Sequence, residues 1–259
     1  MILFGGDVIA SKVISWSDKE IVCLVPLGSI TGPLTVLVDN VPTLSADFIV
    51  ENIGGMIVHL KPNLDFSSQL IEDVSGNENH GMIEGPAEWA SDRFGNPGRA
   101  ISFQGNGAHI LLNKSSSLRR IAGLVLSVSI KLNQSGFAQT NSMTLLHKDS
   151  YFSLEAVSAG ENWLYVFFAR DRAGTSYLTS SYPHVDIPAT RFVKVTAVFD
   201  SSEPLMGIYV DDELVGRNNS TIGQMIVDVT NETYIGIDPH EENHLFGILE
   251  DVFIFELRD

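Results

Sequence analysis

FGNPGRAISFQGNGAHILL, from Phe94 to Leu112, contains two short strand-like runs, AISFQ and HILL, each bounded by glycine and asparagine turns. Runs of the same texture fill the rest of the chain. KVISWSD, EIVCLVP and LTVLVDN precede it, and LVLSVSIKL, NWLYVFFA, FVKVTAVFD, MGIYVDDELV, TYIGI and DVFIFEL follow it. They alternate with period two, are rich in β-branched and aromatic residues, and stop at Gly, Asn, Asp or Pro. No long segment carries an i, i+3, i+4, i+7 apolar stripe. Strands spaced by turn signals, with no helices between them, predict antiparallel β-sandwiches rather than parallel βαβ units.

The 259 residues are 44% hydrophobic and 19% charged, enough chain for one large sandwich or two modest domains without disulfides. Lys and Arg number 16 against 32 Asp and Glu, a formal charge of −16 at pH 7. That balance repels phosphate backbones and anionic lipid, and so argues against nucleic acid and membrane-surface partners. It suits Ca²⁺, which selects hard oxygen ligands, and it equally serves to keep a surface protein soluble.

No apolar run approaches the ~18 residues of a membrane helix. The opening MILFGGDVIASKV lacks the basic and long apolar regions of a signal peptide, so an export signal is expected on another part of the polypeptide. The single cysteine, Cys23, cannot form an internal disulfide and reads as a small buried hydrophobe. Asn-x-Ser/Thr tripeptides start at Asn113, Asn133, Asn218, Asn219 and Asn231. They are glycan acceptors if the protein is secreted and eukaryotic, and coincidence otherwise.

A break falls at ENIGG, Glu51 to Gly55, where ADFIV ends and a Gly pair opens the run MIVHL. Before it stand FGG (Phe4 to Gly6), VISWSDKEIVCLVP (Val13 to Pro26) and the turn GSITGPLTVLVDNVP. Residues 1–51 thereby resemble part of a TIG domain, the immunoglobulin-like family also found in plexins and transcription factors. The strands that the family places before FGG are missing. The resemblance therefore implies a partial immunoglobulin-like sandwich within a larger multidomain chain or assembly, with a pairing edge for another segment to cover.

Residues 55–259 resemble the laminin G-like and concanavalin A-like family. EDVSGNENHGMIEGP (Glu72 to Pro86) and FGNPGRAISFQGNGAHILL lead, then come LVLSVSIKL, VTAVFD, IYVDDELVG, YIGI and the closing FGILEDVFIFELRD. The resemblance implies an antiparallel jelly roll. Phe192 stands where the family usually has Trp, and Asp212 where a turn Gly is common.

The turn Asp73-Val74-Ser75-Gly76-Asn77 offers a carboxylate, backbone carbonyls and an amide oxygen within a few residues. The resemblance implies that the first and last strands run side by side, which would add Glu250 and Asp251 to a Ca²⁺ site with Asp73 and Asn77. Strand alternation allows only one of Glu250 and Asp251 to face a given side, and Asp251 is the preferred ligand. The competing reading is a turn in which Asp73 and Asn77 bond their own backbone.

His240-Glu241-Glu242-Asn243-His244 fits H-E-x-x-H, but it lies between strand-like segments with no helix to put both histidines on one face, so a polar loop is expected. Asp211, Asp212 and Glu213 sit at a hairpin tip where solvation is expected, and no glycosidase pair, nucleophile elbow or phosphate loop is found. In NWLYVFFA, Trp163, Tyr165 and Phe167 share one face and Leu164, Val166 and Phe168 the other. The aromatic face is either a sugar-stacking platform or core, with core favoured.

The chain is thus expected to be a non-catalytic extracellular or cell-surface module. It would recognise carbohydrate or a cell-surface protein, with a structural Ca²⁺. Two other roles stand beside that one: a component of an extracellular filament or surface layer, and an accessory domain of a polysaccharide-degrading enzyme.

Overall fold

The computed structural model describes all residues except 6–7, 11–12, 24, 26–28, 40, 49–52, 63–67, 116–122, 160–161, 182–190, 203–204, 221–222, 224–230, 241–242 and 258–259. Its first strands are β1 (Ile2–Gly5), β2 (Val8–Ile9), β3 (Val13–Trp16), β4 (Ile21–Cys23), β5 (Ile30–Val38), β6 (Val41–Phe48) and β7 (Ile53–Leu60). Then follow β8 (Leu70–Ile71), β9 (Gly81–Glu84), β10 (Glu88–Ala90), β11 (Ala100–Gln104), β12 (His109–Leu112) and β13 (Gly123–Leu132). One short helix, α1 (Gln134–Phe137), precedes β14 (Ser142–Lys148), β15 (Phe152–Ala159), β16 (Asn162–Arg170) and β17 (Ser176–Ser180). The last strands are β18 (Val193–Asp200), β19 (Leu205–Val210), β20 (Glu213–Asn218), β21 (Thr233–Ile235) and β22 (Phe246–Leu257). The protein is all-β, as the period-two runs predict.

Two large antiparallel sheets form the sandwich. One runs β10-β11-β22-β13-β18-β19-β20, and the other β17-β16-β15-β14-β21-β12-β9-β8. The twelve-residue β22 organises the first sheet. It pairs with β13 along one edge and shares the other between β11, at Phe246 to Leu249, and β7, at Val252 to Leu257. Alternation in β13 shows how the core forms. Leu124, Leu126, Val128, Ile130 and Leu132 face the opposing sheet and are buried in the main core, while Val125, Ser127, Ser129 and Lys131 fall on the outer face.

The strands β1, β2, β5 and β6 make a separate four-stranded sheet, and β3 and β4 pair only with each other. These N-terminal strands lie on the outer face of the first large sheet. Ile2 and Phe4 are buried against Val125, Val198, Phe253 and Phe255, and Phe4 meets Phe48 edge-on at 5.0 Å. Cys23 packs half-buried beside this second cluster, so it is less enclosed than its apolar neighbours suggest. Part of the outer face is thereby covered, and the remainder carries polar and charged side chains.

Tyr165 and Phe167 are fully buried, and Trp163 is half-buried against Phe137 at 4.7 Å. The aromatic face of NWLYVFFA is therefore core. Val166 and Phe168 on its reverse are half-exposed.

Candidate functional site

The turn after β8 is held to β7 by Asp73. Its carboxylate accepts from the backbone N–H groups of His59 (2.8 Å), Ser75 (3.0 Å) and Asn79 (2.9 Å), and from the Ser75 hydroxyl at 2.9 Å. Asn77 donates its amide to the carbonyls of Met56 and Ile57 at 2.7 and 3.2 Å. Asp73 thus bonds the backbone of its own turn, as the competing reading describes, whereas Asn77 reaches across to the backbone of β7. Asp251 reaches the ring of the same His59, with Oδ1 3.4 Å from Nε2, and that ring stacks on Phe253 at 4.2 Å.

Glu250 breaks the alternation expected of β22. Ser129 pairs with Asp251 and Ile130 with Leu249, which leaves Glu250 as the extra residue of a β-bulge. The phase of the strand shifts there: Leu249 and Val252, three positions apart, both enter the main core. Glu250 and Asp251 consequently line one cleft together, contrary to the expectation that they face opposite sides. Arg93 donates to the buried Glu250 carboxylate at 2.7 Å, and the Ser129 hydroxyl donates at 3.2 Å. Burial pushes the Glu250 carboxyl above its usual range, and the Arg93 charge pulls it back in part.

The cleft beside them has a volume of about 560 Å³. Its walls are Met1, Leu3 and Ile9 of the N-terminal sheet, Lys61 and Pro62 after β7, and the loop between β10 and β11. That loop is tied by Asp92. The Asp92 carboxylate accepts from the backbone N–H groups of Phe94 (2.9 Å) and Asn96 (2.8 Å) and from the Asn96 amide (2.9 Å), while Gly95 N–H returns to the Asp92 carbonyl at 3.0 Å. Gly95 takes a φ of +82°, a left-handed conformation that favours glycine. Phe94 is held on this loop half out in solvent, at 49% exposure. A second cleft of about 540 Å³ shares Asp92 and Phe94 with the first and is lined as well by Arg93, Gly95, Lys131, Arg191 and Phe192.

The other candidates disperse. His240 pairs with Asp149 at 2.8 Å, whereas His244 binds the Gly105 carbonyl at 3.1 Å, so the two histidines of the H-E-x-x-H match serve different partners. Glu241 and Glu242 lie outside the described residues. Asp211 and Asp212 occupy the hairpin tip with φ of 49° and 65°, and the tip is not simply solvated. Arg191 meets Asp211 at 2.6 Å, and Lys194 meets Asp212 at 2.5 Å with the Asp212 side chain only 4% exposed. Among the described residues, no three His, Cys, Asp or Glu side chains converge as a metal set. The Asp73 carboxylate takes four protein donors.

No protein-family model and no curated protein matches the chain. Solved structures do. The ligand-binding domain of botulinum neurotoxin serotype D in complex with N-acetylneuraminic acid is 15% identical with a TM-score of 0.58, covering 79% of this chain and 48% of that one. The binding domain of Paraclostridial Mosquitocidal Protein 1 is 14% identical with a TM-score of 0.59, covering 79% and 49%. Domain 4 of AbnA, a GH43 extracellular arabinanase from Geobacillus stearothermophilus, in complex with arabinotriose, is 15% identical with a TM-score of 0.58, covering 79% and 94%. The likeness is one of fold. The chain spans about half the length of the toxin domains and nearly all of the arabinanase domain.

The Phe94 loop was within reach of sequence reading only in part. Asp92-Arg93-Phe94-Gly95-Asn96 has the composition of an Asx turn. Nothing in the order of residues brings Lys61, Lys131 and Arg191 to that loop.

Proposed function

We propose that the chain is a non-catalytic, extracellular carbohydrate-binding module, and that the glycan docks over Phe94. The observation that carries this is the Asp92–Asn96 loop, which fixes an exposed aromatic ring between two clefts rimmed by polar side chains. A flat ring stacks on the apolar face of a sugar, while neighbouring amide, carboxylate and guanidinium groups bond its hydroxyls. Holding the ring in advance lowers the entropy lost on binding. Two domains of similar fold, a neurotoxin ligand-binding domain seen with N-acetylneuraminic acid and an arabinanase domain seen with arabinotriose, support a binding role. An accessory role beside a polysaccharide-degrading enzyme fits the same reading.

The laminin G-like relationship of residues 55–259 and the TIG relationship of residues 1–51 belong to this proposal. A structural Ca²⁺ at Asp73, Asn77, Glu250 and Asp251 also belongs to it, against the hydrogen bonding described above. A glycan array followed by affinity electrophoresis tests the function. Phe94→Ala should weaken binding at least about ten-fold with an unchanged melting temperature. Failure of every glycan to bind, or equal binding by the variant, overturns it.

A second reading, a component of a filament or surface layer, is favoured by the hairpin β3–β4, where Val13, Ile14, Trp16 and Val22 are exposed. Native mass measurement separates the two readings: a monomer counts against assembly, and concentration-dependent oligomers support it.

A further inference from the structure

We infer that the glycan taken by the Phe94 site is anionic, carrying carboxylate or sulfate groups on sugars flanking the one stacked on the ring. This rests on the carbohydrate-binding reading and specifies its ligand. In the whole chain acids outnumber bases two to one, 32 to 16. Around Phe94 the balance shifts towards bases, most strongly in the second cleft, where Arg93, Lys131 and Arg191 stand against Asp92 alone. The first cleft holds Lys61 and Arg99 with Asp92, Glu250 and Asp251, and there the Glu250 carboxylate is taken up by Arg93 and the Asp92 carboxylate by its own loop.

The pairing within the clefts sharpens the contrast. Arg93 is committed to Glu250, and Arg191 to Asp211. Arg99, in the first cleft, and Lys131, in the second, are both half-buried, and neither has an ion-pair partner among the described residues. Of the described arginines, Arg99 is the one that is neither exposed nor ion-paired. A half-buried cation has given up part of its hydration, and a protein so rich in carboxylates has many ways to pair it. Two such cations left open in the two clefts that share one presented aromatic ring form a complementary surface for an anionic chain laid across it.

The overall negative charge does not oppose this. At physiological salt the Debye length is about 8 Å, so an acidic group seated in a cleft responds to the cations lining it more than to carboxylates across the molecule. Arg99 supplies a planar fork suited to carboxylate or sulfate, and Lys131 a point charge. The net charge of the molecule as a whole repels a long phosphate backbone, whereas the clefts admit a short acidic segment with a sugar face to stack.

The full chain is run in affinity electrophoresis against polygalacturonate (carboxylate only), heparin (sulfate and carboxylate) and neutral dextran and arabinan. At least one acidic polymer should retard the protein, the neutral ones should not, and the retardation should fade towards 1 M NaCl. Arg99→Gln and Lys131→Gln should each weaken binding about ten-fold with the melting temperature preserved. Arg172→Gln, an exposed arginine outside both clefts, should leave it unchanged. Retention by polygalacturonate identifies the carboxylate arm, and retention by heparin alone the sulfate arm. Binding to neutral polymers that is lost in Phe94→Ala but untouched by Arg99→Gln and Lys131→Gln overturns the anionic ligand and leaves the carbohydrate site standing. Binding to none of the polymers overturns both.

Discussion

Arg93 and Glu250 join two parts of the chain that only the fold brings together: the guanidinium on the β10–β11 loop donates at 2.7 Å to a buried carboxylate on the bulge of β22. The pair sits where the two clefts meet, Arg93 lining one and Glu250 the other, with Phe94 beside Arg93 in sequence. The stability of the bulge and the placement of the exposed ring are therefore linked through one ion pair. A ligand over Phe94 would lie on a surface whose foundation is charged rather than apolar.

Arg93→Met should destabilise the protein by about 2 kcal/mol at pH 7. Breaking a buried pair costs about 3–5 kcal/mol, and the Arg93 side chain is partly exposed, which lowers the figure. Burial raises the Glu250 carboxyl in the folded state, so its contribution favours folding below the unfolded pKa and is lost as pH rises through the folded one. Without Arg93 the folded value rises further. The deficit should be full at neutral pH and close as pH falls through the carboxylate range. Urea melts at both ends of that range measure it, and a deficit that does not change with pH contradicts the assignment.

Lys194 and Asp212 are nearly enclosed, with side chains 9% and 4% exposed. Burial draws the Lys194 ammonium below its usual range, while Asp212 acts to raise it. Asp212→Ala strands a buried cation and keeps a left-handed backbone position, so a loss of about 3 kcal/mol is expected. Asp212→Gly loses the same ion pair but relieves the backbone, and should be about 1 kcal/mol less damaging. Equal losses in the two variants would show that the turn conformation carries no cost.

Phe4→Ala should cost about 3 kcal/mol and loosen the N-terminal sheet from the outer face of the sandwich. Phe4 is 3% exposed and packs in the cluster that includes Phe253 and Phe255. Dye binding to newly exposed apolar surface should rise together with the fall in melting temperature. An unchanged melt would mean that the N-terminal strands contribute nothing to that face.

Calcium is checked on chelator-stripped protein. If the proposed site forms, millimolar Ca²⁺ raises the melting temperature and Asp251→Ala abolishes the rise. An unchanged melting temperature removes the metal, and leaves Asp73 as the hydrogen-bonding anchor of its turn.

Much of the fold was legible because a strand states its pattern locally. Leu124 to Leu132 alternate in sequence and in burial alike, and Tyr165 and Phe167 went to the core that their spacing pointed to. The same rule failed at Glu250, because one bulged residue reverses the face of everything around it and leaves no mark in a local pattern. It failed also at Asp212, where a hairpin tip found an ion pair from a neighbouring strand.

By itself, then, the sequence determined the all-β class, the alternating core positions and the turns, since each follows from chemistry among residues close along the chain. The tertiary structure alone decided which charges meet. Lys61, Arg93, Arg99, Lys131 and Arg191 share the surroundings of Phe94 only after β22 has drawn β7, β11 and β13 together. Charge complementarity is a property of distances in space, and sequence separation does not encode them.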